Sequence, residues 1–392
     1  MPKNETAESA VLRRRITAAW RTRACAASLC VGAQVFLLGS GVAMPLCLSS
    51  AWLAALAALP ACAAAVWACH RALLQGAENA GGAEPLPYRA DIHLNAQPHG
   101  AARTGGAEPL PYRARCFLLA LTLTAGAALA LAALVSLAEQ SLLTQARTLF
   151  SAGAAVIAVL LCALSRGTGV SRLCFALRWA LPAAVALLAA ASIPLGTPAG
   201  LFPLLGAGAP ALALACACML PAALPVLMLL LPPPELETIG DAQGIEYIPD
   251  AGFFLRRILP GAVFGCVLLF ALSFCSTYES IAAQHTWGQR LRILSSGQPR
   301  EGVAQALLSV CQMLALLLLS ANMLCAAEQA LLRAQPKLLR MRAGLLLPAA
   351  LLALCLLALI FFGMDKALLI APWLTLPGAL CLLPRRGRGK GA

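Results

Sequence analysis

The sequence predicts an all-α protein: a polytopic transmembrane helix bundle of about ten spans, six plus four around a cytoplasmic linker, N-in and C-in. Three observations point to it. Hydrophobic residues make up 60% of the chain and charged residues only 11%, against roughly 25% charged in a soluble domain. About 235 hydrophobic side chains suffice for about ten spans of about 20 residues each. Lysine and arginine also collect on one side once the chain is threaded through those spans. This composition excludes a cytosolic enzyme, a disordered chain and a disulfide-built secreted domain.

The elements follow in order. Residues 1–23 read as a basic cytoplasmic tail carrying Lys3, Arg13, Arg14, Arg15, Arg21 and Arg23. The apolar run from Cys25 to Leu48 is long enough to span, so it reads as a first helix rather than a cleavable signal. Spans are expected at 24–46, 51–69, 116–138, 148–165, 173–193 and 201–231, the first bundle (24–231), with an inside loop over 70–115. A second bundle (258–384) holds spans at 258–278, 303–326, 343–363 and 367–384, and 385–392 is a basic cytoplasmic tail. The sixth run contains Pro203, Pro210, Pro221 and Pro225. Each proline lacks a backbone donor and disfavours helix before it, so this run should be kinked or broken.

Two connections stand out. In the loop at 70–115, the ten residues from Gly81 to Ala90 recur letter for letter from Gly105 to Ala114. Their prolines favour extended backbone, and a loop tolerates such a duplication; its functional alternative is a two-copy docking motif for a cytoplasmic partner. The linker 232–257 opens on Pro232, Pro233 and Pro234 and carries Glu235, Glu237, Asp241, Glu246 and Asp250. Those carboxylates lack calcium-loop spacing and read as a solvated linker.

The charges test the topology. With ten spans, the N-tail, the connections after spans 2, 4, 6 and 8, and the C-tail share one side and hold most of the 29 basic residues. The other side holds Arg147, Arg290, Arg292, Arg300 and Lys366, while Arg178 lies within a span. This asymmetry places both termini inside at a cytoplasmic (inner) membrane.

Few residues could carry chemistry. The cysteines lie mostly in apolar runs without C-x-x-C spacing and read as small packing residues. No Asp or Glu falls in the middle of a span, which weighs against ion-coupled transport. Arg178 reads as a snorkelling side chain beside Trp179, with anion binding as its functional alternative. Gln34 in the first span, with Gln312, Ser320 and Asn322 in the eighth, must find partners in lipid, either a neighbouring helix or a ligand. The candidate ligand-binding residues are therefore Gln34, Arg178, Gln312 and Asn322. Gly261 and Gly265 form a small-xxx-small face for close packing. Between spans 7 and 8, Trp287, Leu291 and Leu294 suit a short helix on the membrane surface. No histidine pair, nucleophile elbow, Walker or dinucleotide motif is present, so neither an enzyme nor a cofactor is expected.

Six helices, an inside linker at 232–257 and further helices with both ends inside resemble the major facilitator layout. That resemblance implies recognition or transport of a small molecule by two rocking helix groups. The Ala/Leu/Cys-rich spans and the exit Arg385-Arg386-Gly387-Arg388-Gly389-Lys390 are also similar to the membrane portion of certain LuxR-type regulators. That likeness implies a shortened sensor without direct nucleic-acid binding. The expected partners are membrane lipid, a small-molecule ligand and a cytoplasmic protein reached through the loops or tail.

Overall fold

The computed structural model describes residues 7–80, 112–141, 168–190, 208–231, 248–275 and 301–334, with a few isolated neighbours. These residues are nearly all helical. In chain order they form α1 (Ala7–Leu38), a π turn (Gly39–Ala43), α2 (Met44–Cys47), a 3-10 turn (Leu48–Ser50), α3 (Ala51–Leu56) and α4 (Ala58–Ala80). Next come α5 (Tyr112–Ser141), α6 (Thr168–Leu177), α7 (Ala180–Ala190) and α8 (Ala209–Cys218). A 3-10 helix (Leu220–Leu230), α9 (Ala251–Cys275) and α10 (Glu301–Ala334) complete the set. Five helical segments are long and apolar enough to cross a membrane, or six if the bent pair α6–α7 is one span. The run at 367–384 and most of those at 148–165 and 343–363 lie outside the described residues. So do nearly all of the duplicated loop segment, most of the linker, the surface helix expected around Trp287 and the C-terminal basic residues.

The longest apolar segment, Arg13–Leu74, doubles back on itself. Arg23 bonds the carbonyl of Met228, and the Cys69 thiol approaches the carbonyl of Val226. A straight helix would hold residues 23 and 69 about 70 Å apart, too far for both to reach one short stretch. The reversal falls at residues 39–50, over the end of the first expected span and its connection to the second, where Leu48 takes a positive φ of 54°. Helix also begins earlier than the charges suggest: Ala7 opens α1, so the arginines from Arg13 to Arg23 ride on a helix.

The proline-rich run breaks as its sequence requires. Helix α8 ends at Cys218, and the chain continues as a 3-10 helix with Pro221 in its first turn and Pro225 inside it. Irregular backbone at membrane depth persists only where protein covers it, and residues 224–229 of this stretch are all buried. Its carbonyls find donors on other helices. Thiols of Cys62 and Cys69, on one face of α4, point at the carbonyls of Ala222 and Val226. The Arg23 guanidinium takes the carbonyl of Met228.

Between apolar helices in lipid the hydrophobic effect gives little net drive, so association depends on close packing. Helices α1 and α9 run parallel and in register. Trp20 meets Phe254 edge to face with centroids 5.4 Å apart, Gly261 abuts the Ser28 carbonyl, and Gly265 abuts the Gly32 carbonyl. The small-xxx-small face at Gly261 and Gly265 thus meets a second one at Ser28 and Gly32. Helices α5 and α10 form another broad seam, lined by buried alanines and leucines, with Gly126 making room for Met323.

Candidate functional site

Buried polar side chains in this bundle fall into two groups. Four bond within their own helix: Ser40 donates to Phe36, Thr122 to Leu118, Thr124 to Ala120 and Ser320 to Leu317. These back-bonds to the preceding turn are local and imply no partner.

The second group gathers where α1, α6 and α10 meet. Asn322 donates from Nδ2 to the Leu318 carbonyl at 2.8 Å and to the Cys174 sulfur at 3.0 Å. Its Oδ1 accepts from the Ser171 hydroxyl at 3.3 Å. Asn322 therefore ties α10 to α6, the interhelical role its position in an apolar run allowed. Cys30 of α1 lies within electrostatic reach of Cys174, so all three helices line this layer. Replacing Asn322 with leucine should cost about 1 kcal/mol, the usual worth of an interhelical bond in lipid, seen as a lower unfolding midpoint in detergent.

Gln34 stands one helical turn beyond Cys30 on α1. It is fully buried, and neither Oε1 nor Nε2 has a partner. Gln312 on α10 is also buried with both amide atoms unpartnered, but it lies ten residues from Asn322, about 15 Å along the helix axis. Leaving a buried amide unbonded costs roughly 1–3 kcal/mol. Among the described residues these two glutamines are the only buried amides with both ends unused.

The fourth candidate, Arg178, sits in the 41° break between α6 and α7. Its Nη1 donates to the Phe175 carbonyl at 2.8 Å, and the guanidinium lies 3.7 Å from the Phe175 ring centroid. The candidate set is thus not one cluster. Gln34 and Asn322 flank the same three-helix junction, Arg178 lies within electrostatic reach of Cys25, and Gln312 stands apart along α10. No protein-family model matches this chain, and no curated protein matches it in sequence.

Two functional groups escape a reading of the sequence. Ser171 carries no signal of its own, since it opens an apolar run beside Arg172. Arg23 looks like one of several tail charges, yet it is 5% exposed. Its Nε and Nη2 donate to the Met228 carbonyl at 3.2 and 3.0 Å, and Nη2 also donates to Gln329 Oε1 at 3.0 Å. One side chain thereby joins α1, the broken segment and α10. The sequence signal was its place directly before the apolar run, where the helix is already surrounded.

Proposed function

We propose that this is a multi-pass membrane protein whose helix core recognises a small, uncharged polar molecule at Gln34. Several long apolar helices support the membrane setting. The observation that carries the recognition is Gln34, fully buried with both amide atoms unused while its serine and threonine neighbours in the bundle are satisfied locally. An amide offers one donor pair and one acceptor, so it suits a ligand that presents both. A charged ligand fits poorly in a layer of thiols, hydroxyls and amides, because no opposite charge offsets its desolvation.

Gln34 is fully buried, so binding requires α1, α6 and α10 to separate. The α6–α7 break and the 3-10 segment are the points where such a movement can hinge. If the protein is a facilitator-like carrier, that movement is the rocking of two helix groups about a midplane site.

The test is Gln34→Leu. Leucine has similar volume and leaves no amide unbonded, so the folded state should gain about 1–2 kcal/mol. Thermal shift in detergent would show a raised midpoint. A panel of sugars, polyols and small amides should stabilise the wild-type chain and no longer stabilise the variant. A variant that melts lower and still responds to the same solutes would refute the role of Gln34. Flux of the responding solute into proteoliposomes marks a carrier; binding without flux marks a membrane sensor.

A further inference from the structure

Two arginines on different helices are held in the same way. Arg178 stacks on Phe175 and bonds its carbonyl. Arg257 stacks on Phe253 at 3.6 Å from the ring centroid, and its Nη1 donates to the Phe253 carbonyl at 2.9 Å. Each guanidinium is fixed along one edge by its own helix, with N–H donors remaining on the others. Among the described residues neither has a carboxylate partner, and neither does Arg21.

Arg21 stands one turn before Cys25 on α1, and Arg257 and Arg178 are carried by α9 and the end of α6, which both pack against α1. The register that pairs Gly261 with Ser28 places Arg257 one turn earlier, beside Ala24 and Cys25. Cys25 lies within electrostatic reach of Arg178, Arg257 and Arg21. Cys25 also opens the first apolar run, so the cluster stands at headgroup level. Trp179, next to Arg178, is largely exposed, as suits a ring at the membrane–water boundary. Arg71 supplies a contrast: it stacks on Trp67 but is exposed and alone, and it serves as an interfacial anchor only. Three cations so placed, without an acidic neighbour among the described residues, repel one another unless an anion sits between them.

We propose that Arg21, Arg178 and Arg257 form a site for the phosphate group of an anionic phospholipid, seated on α1, against which α6 and α9 both pack. Guanidinium edges match phosphate oxygens in pairs, and basic recesses between membrane helices hold such headgroups. This site is independent of Gln34.

The experiment is native mass spectrometry of the full chain in detergent, titrated with phosphatidylglycerol against phosphatidylcholine. Wild type should retain one phosphatidylglycerol preferentially. Arg178→Gln with Arg257→Gln should weaken that binding about thirtyfold, the loss of two interfacial arginine contacts. Arg14→Gln with Arg15→Gln removes the same charge from the exposed start of α1 and should change binding by no more than about twofold. If the double variant does not purify folded, Arg257→Gln alone against Arg14→Gln should show about a fivefold difference. Competition by millimolar inorganic phosphate would show that the phosphate alone suffices; persistence of the adduct would show that the whole lipid is held. Unchanged binding in the Arg178/Arg257 variant, or equal loss in the Arg14/Arg15 control, would overturn the site.

Discussion

Gly261→Val should pull α1 and α9 apart and cost about 3 kcal/mol or more, the upper range for an overpacked core. A Cβ at Gly261 would overlap the carbonyl of Ser28, and its own carbonyl already lies against Gly32. The obstacle is backbone within a helix, so no rotamer change relieves it. The seam also carries the Trp20–Phe254 contact and the register that brings Arg257 beside Cys25. Gly153 is the control, since a Cβ there meets nothing within 4 Å; Gly153→Val should stay within about 0.5 kcal/mol. Folded yield on size exclusion and the midpoint of SDS-driven unfolding would report both. Equal behaviour of the two variants would show that the close α1–α9 approach does not hold the bundle.

Arg23→Met should cost about 3 kcal/mol. Methionine keeps the apolar stem but loses the bonds to the Met228 carbonyl and to Gln329, and bonds from a charged donor are worth about 1.5–3 kcal/mol each. The Met228 carbonyl then keeps only the Leu231 N–H, at 3.3 Å, as its donor. Arg23→Lys should recover only part of the loss, because one compact ammonium cannot span both acceptors as a planar fork does. Arg21→Met, two residues away and exposed, should change stability by less than about 0.5 kcal/mol. If Arg21→Met and Arg23→Met melt alike, Arg23 is a surface charge after all.

Some of the fold was legible because it depends on local chemistry. Pro221 and Pro225 cannot continue an α-helical ladder whatever surrounds them, so the break after Cys218 could be read in advance. Gly261 and Gly265 announce a close approach through their spacing. The face they approach, Ser28 and Gly32, could not be read, because serine and glycine are frequent in apolar runs and nothing local pairs two helices more than 200 residues apart. Arg23 was misjudged for the same reason. Its acceptors, the Met228 carbonyl and Gln329, lie more than 200 residues away in the chain.

The candidate site divides along the same line. That Gln34, Gln312 and Asn322 interrupt apolar runs is plain from the residues alone. Asn322 is satisfied and Gln34 is not, and that difference arises from which helices stand opposite each.

Composition by itself determined that the chain is helical and apolar enough for a membrane, because an unpaired backbone is intolerable in hydrocarbon and 60% hydrophobic side chains cannot be hidden from water in a protein of this size. Tertiary structure alone decided which helices touch, which carbonyl Arg23 serves, and which arginines lie within electrostatic reach of Cys25. Contacts of that kind depend on register and distance between segments remote in the chain, and neither quantity is written in any one segment.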